Sequence, residues 1–113
     1  MESNTAIQAF AALAHPQRLE IIRRLVRAGR AGLAAGDISA ALEVQPSTAS
    51  NNLSVLANAG LIRAERQGRT IRYFAAYDAL GGVITYLMEE CCEGQLSACW
   101  PEISNPKDMK DPT

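Results

Sequence analysis

Cysteine is absent from the first 90 residues of this chain of 113, and histidine occurs once, at His15. With one imidazole no histidine-rich zinc site is expected, no carboxylate–histidine catalytic set appears, and the cysteines have no neighbouring base. No phosphate-binding glycine loop appears. These absences argue against an enzyme. No apolar run reaches 18 residues, so no membrane-spanning helix is expected. The opening Met1-Glu2-Ser3-Asn4 is not the basic start of a signal peptide, so a cytoplasmic protein is expected.

The chain has 48% hydrophobic and 20% charged residues, which is ordinary for one small globular domain. A core of that size is modest, and pairing into a dimer would bury more apolar surface. A net charge of −1 conceals an asymmetry. Residues 1–72 carry nine arginines against five acids, a net of +4, whereas residues 73–113 carry Lys107 and Lys110 against seven acids, a net of −5. A local basic face, not the total, governs attraction to phosphate.

Residues 5–14 are rich in helix formers, and His15-Pro16 interrupts them. Pro16 suits the first turn of a second helix, about 16–27, with Leu19, Ile22, Leu25 and Val26 as its apolar stripe. His15 reads best as a helix-end or interface residue. Gly29, Gly32 and Gly36 mark a loop. A short helix is expected over 35–42, with Asp37 at its positive end and Ile38, Ala41 and Leu42 inward. Glu43-Val44-Gln45-Pro46 is a turn. Ser47 is the expected cap of a helix over 47–59, with Leu53, Leu56 and Val55 on its core face and Gly60 as its stop. Residues 61–66 and 70–75 are β-type runs joined at Gln67-Gly68. A last helix is expected over 78–92, where Leu80, Ile84, Leu87 and Cys91 share a face. The winged domain is expected over 1–100. Residues 101–113, with Pro101, Pro106 and Pro112, read as a flexible tail.

The expected fold class is therefore mainly α with a β-hairpin, an α+β winged helix-turn-helix that pairs as a homodimer. Its second helix would enter the major groove with its N-terminal residues, here Gln45, Ser47, Thr48, Ser50, Asn51 and Asn52. Hydroxyls and amides suit base edges, and Asn pairs bidentately with adenine. Arg63, Arg66, Arg69 and Arg72 edge the hairpin and would hold phosphates or enter a minor groove.

Residues 38–42, the segment Ser47-Thr48-Ala49-Ser50-Asn51-Asn52-Leu53-Ser54-Val55-Leu56, Ala59-Gly60-Leu61-Ile62, Gln67-Gly68-Arg69 and the opening Leu13-Ala14-His15-Pro16-Gln17-Arg18-Leu19-Glu20-Ile21 form a set. Together they resemble the ArsR/SmtB family of metalloregulatory repressors, over about residues 5–92. The resemblance implies a homodimer joined by its first and last helices, with Phe10, Leu13, Leu80, Ile84, Leu87 and Met88 at the interface. It also implies binding to double-stranded operator DNA, an imperfect inverted repeat, that an inducer releases. Asn51, Asn52 and Ser54 depart from the basic or histidine residues frequent there, so the operator sequence does not carry over.

The family senses ions at several places. Residues 35–42 lack the cysteine pair of one type, and the last helix lacks the histidine of another. Cys91, Cys92 and Cys99 remain, resembling the arsenical repressors with a site at the end of the last helix. Adjacent helical residues point about 100° apart, so Cys91 and Cys92 can share an ion only at a helix end. Gly94 permits such an end and a return of Cys99. Three thiolates suit trivalent arsenic or antimony as inducer. A carboxylate from Glu89, Glu90 or Glu93 would leave zinc, cadmium or lead open. Oxidation or sulfide is the other signal these thiols could read, with Cys99 as the partner of Cys91 or Cys92.

Overall fold

The computed structural model describes residues 1–89. Helix α1 (Ser3–Leu13) buries only Ala6, Ala9 and Ala12, a strip of small side chains at steps of three. Small residues at a contact let helix axes approach closely. His15 then turns the chain and caps α2 (Pro16–Ala28), its Nδ1 accepting the Gln17 amide at 3.1 Å. The helix-end reading of His15 is the observed one. Ile21, Ile22 and Leu25 of α2 are buried, while Leu19 and Val26 are 48% and 43% exposed. The apolar arc of α2 is wider than its contact with the core, and Ile21 and Leu25, one turn apart, fix the inward direction.

A 3-10 turn at Gly29–Ala31 leads to a short strand, β1 (Leu33–Ala34), within the segment that Gly29, Gly32 and Gly36 mark as loop. Gly32 makes its position possible. It has φ +62°, and a Cβ there would meet the Tyr73 carbonyl oxygen at 2.5 Å and the Phe74 ring at 2.7 Å.

Helix α3 (Ala35–Leu42) has the expected bounds, with Ile38 buried and Asp37 in its first turn. Ala41 is exposed and Ser39 is buried instead, its hydroxyl donating to the Gly36 carbonyl at 3.1 Å. Glu43 ends α3 in the left-handed conformation, φ 56°. The amides of Val44 and Glu43 donate back to the carbonyls of Ser39 and Ala40 at 3.1 and 3.2 Å. That pairing satisfies the last carbonyls of the helix and makes the turn tight.

Helix α4 (Pro46–Asn58) starts one residue before the expected Ser47 cap. Pro46 occupies the first helical turn, where its missing N–H costs nothing, and this moves the cap position to Gln45. Gly60, φ 78°, closes α4 as expected, with the Leu61 amide donating to the Leu56 carbonyl at 3.1 Å. Strands β2 (Ile62–Gln67) and β3 (Thr70–Ala75) pair from Ile62↔Ala75 to Gln67↔Thr70. The hairpin turn is therefore Gly68-Arg69, not Gln67-Gly68, with Gly68 at φ 65°. The sheet order is β1-β3-β2, all antiparallel.

Helix α5 (Tyr77–Met88) packs Val83 on the core, and Tyr86 pairs with Ser3 of α1 through their hydroxyls. The expected continuation through Cys92, Cys91 and Cys99 themselves, and the tail over 101–113 lie outside the described residues. Ile21, Leu25, Ile38, Leu53, Leu56 and Leu61 are the largest fully buried side chains, so α2, α3 and α4 surround the centre. No described helix is long and apolar enough to cross a membrane.

Candidate nucleic-acid interface

The two faces of α4 differ in size and polarity. Ala49, Asn52, Leu53 and Leu56 are buried, and Ser47, Thr48, Ser50, Asn51 and Ser54 are exposed. The packing of Leu53 and Leu56, ~1.5–3 kcal/mol each by burial, therefore decides which way the hydroxyls and amides point. They point into a polar cleft of ≈ 720 Å³ between α4 and the start of α2, whose wall also includes His15, Gln17, Arg18 and Asn52. Gln45 is exposed at the head of α4, and no side chain caps that end. The uncapped amides are a favourable place for phosphate oxygens.

Asn52 does not belong with the exposed set. It is 6% exposed. Its Oδ1 accepts from Arg18 Nη1 at 3.3 Å, and its Nδ2 donates to Gln17 Oε1 at 2.8 Å. Both ends of the amide are engaged within the protein, which corrects its assignment as a base reader. The spacing held the signal: Asn52 stands between Ala49 and Leu56 at helical steps of three and four, on the inward strip.

The hairpin arginines are divided by the alternation of the strands. Arg63 and Arg72 lie on one face of the sheet, Arg66 on the other, and Arg69 in the turn. The Arg63 guanidinium stands 5.8 Å from the centre of the Phe74 ring. Arg66 and Arg69 are exposed at the tip, with Arg66 Nε donating to the Gly68 carbonyl at 3.4 Å. Arg72 is half-buried and donates from Nη1 to the carbonyls of Ala31 and Gly32 at 2.9 and 3.3 Å. It fastens the turn before β1 to the hairpin, which leaves Arg63, Arg66 and Arg69 as the exposed arginines of the wing. Arg30, which the sequence reading passed over, joins Arg63 on the wall of a second hollow of ≈ 480 Å³.

A second surface is apolar. Ile7 and Phe10 of α1 are 63% and 40% exposed, and Ile84 and Leu87 of α5 are 41% and 61% exposed. Of the expected interface residues, Phe10, Ile84 and Leu87 lie open, Met88 is half-buried, and Leu13 and Leu80 pack partly against the core. Ile7 lies one helical step of three from Phe10 and is exposed with it, while Tyr77, 51% exposed, donates its hydroxyl to the Val26 carbonyl at 3.1 Å. Among the described residues, no three His, Cys, Asp or Glu side chains gather to hold a metal ion.

Helices α3 and α4 joined by three residues, with a basic two-stranded wing behind them, define a winged helix-turn-helix DNA-binding protein. The helix-turn-helix domain family matches residues 13–65, from the end of α1 into β2. A relative from Bacillus subtilis strain 168, described as the uncharacterized HTH-type transcriptional regulator YbzH, is 32% identical, with 74% of this chain and 96% of that protein covered. The ArsR-like transcriptional regulator from Rhodococcus sp. RHA1 is 26% identical, covers 97% of this chain and 96% of its own, and superposes with a TM-score of 0.65. The homodimeric winged helix-turn-helix DNA-binding domain of a possible ArsR-family regulator from Mycobacterium bovis is 28% identical, covers 80% and 84%, and has a TM-score of 0.62. The chain belongs to the ArsR family of helix-turn-helix transcriptional regulators. The relatives named above are described as transcriptional regulators.

Proposed function

We propose that this regulator is a homodimeric repressor that holds operator DNA through α4 and the hairpin tip and lets go when its C-terminal thiols bind trivalent arsenic or antimony. The observation that carries the DNA half is the cleft itself, where Ser47, Thr48, Ser50 and Asn51 stand open together on a helix anchored from behind. The homodimer reading is supported by the apolar residues that α1 and α5 leave exposed and by the homodimeric Mycobacterium bovis domain. Two copies would present two α4 helices to major grooves about 34 Å apart.

The inducer half rests on donor chemistry. Cys91, Cys92 and Cys99 are the chain's three cysteines, within nine residues, and thiolates prefer soft ions. An ion drawing them together would act beside α5 and so on the dimer surface. Coupling of ~1–3 kcal/mol is enough for a several-fold to hundred-fold change in operator affinity. Fluorescence anisotropy of the reduced protein on its own promoter DNA, titrated with arsenite, tests this. Release is expected for the native chain and not for Cys91→Ser, Cys92→Ser or Cys99→Ser. Retention of DNA at saturating arsenite would overturn the arsenic reading, and release by oxidant alone would replace it with a thiol redox signal.

A further inference from the structure

The carbonyl of Ala12, in the last turn of α1, faces a position four residues on that is Pro16, which has no N–H to give. Arg18 supplies the missing donor, its Nε donating to the Ala12 carbonyl. The same guanidinium donates from Nη1 to Oδ1 of the buried Asn52, whose Nδ2 donates to Gln17. A polar side chain buried on the inward strip of α4 is costly unless both ends are paired, and α2 pairs both. One guanidinium thus bolts α1 to α4.

We propose that Arg18 and Asn52 are positioning residues for operator recognition. They hold the reading helix at a set angle to α1, so that the dimer surface on α1 determines the spacing of the two α4 helices. This rests on the proposed dimeric operator reading. Neither residue needs to touch a base. Burial of Leu53 and Leu56 turns the polar face of α4 outward, and hydrogen bonds at both ends of one amide add a directional tie to α2 and α1.

The test uses the full-length reduced protein, with Arg18→Met, Asn52→Leu, both together, and Arg18→Lys, which keeps the charge without the fork that reaches two acceptors. Each is measured on its own promoter DNA, on the same DNA with one base pair added between half-sites, and on unrelated duplex. Each single apolar variant should lower the thermal midpoint, and the double should lose less than the sum of the two, because both singles break the same Arg18–Asn52 bond; the Ala12 carbonyl loses its donor in either Arg18→Met background. The double variant and Arg18→Lys should remain dimeric, bind promoter DNA at least about tenfold more weakly, and lose preference for the native spacing. Their binding to unrelated duplex should fall less than their promoter binding does, so that the ratio of the two drops. Folded variants that keep native promoter affinity and spacing preference would overturn the proposal. Where native protein shows no preference for its promoter, the operator reading fails instead, and additive stability losses of Arg18→Met and Asn52→Leu would then overturn the bolt.

Discussion

Helices α1 and α4 are near neighbours of similar length, and they place opposite kinds of residue outward. Helix α1 turns alanines in and leaves Ile7 and Phe10 exposed; α4 turns Leu53 and Leu56 in and leaves hydroxyls and amides exposed. Large apolar side chains left in water on a helix that has a core to face imply a protein partner. Short polar side chains over an uncapped helix start imply a partner made of phosphates and base edges. In the proposed dimer, the two outward faces divide the work between assembly and reading.

That division can be broken most severely from inside α4. Leu53→Ala should cost about 2–5 kcal/mol, seen as a drop in thermal midpoint of ~10 °C or more, with reading lost through the fold. On the other side, Leu87→Glu should leave the fold intact and separate the dimer in sedimentation. Losing the second half-site should weaken promoter binding by at least ~100-fold. Asn51→Ala should preserve both fold and dimer while costing about 1–3 kcal/mol of discrimination between promoter and mutated promoter DNA.

The wing gives a milder contrast. Arg66→Ala or Arg69→Ala should weaken binding to all duplexes alike and reduce the salt slope by about 1 each, as loss of a phosphate contact does. Smallest of all, Glu43→Gly should raise stability by up to about 1 kcal/mol in a denaturant titration, since Glu43 holds a left-handed conformation that glycine adopts freely.

Much of this was legible in the sequence, for reasons that differ by element. The bounds of α3 and β3 follow from strong punctuation on both sides, and Gly60 ended α4 as read. Strand β1 has two residues, too few to show any period, and exists because Gly32 lets the chain approach β3. Asn52 and Arg72 have side chains typical of open positions, yet Asn52 is buried and Arg72 half-buried. Helical spacing placed Asn52 inward, and strand alternation separated Arg66 from Arg63 and Arg72. The bond from Arg18 to Asn52 spans 34 residues and had no local sign. The exposure of Ile7 beside Phe10 shows the limit of reading α1 from composition, since alanine and isoleucine both look like core.

The central claim is that the apolar face of α1 and α5 pairs two copies so that two α4 helices read one operator. The most direct measurement is the mass of the complex with promoter DNA, by native mass spectrometry or light scattering, for the native chain and for Leu87→Glu. The account predicts two chains per duplex for the native protein and no stable promoter complex for the variant. One chain per duplex, with promoter affinity unchanged in Leu87→Glu, would contradict it.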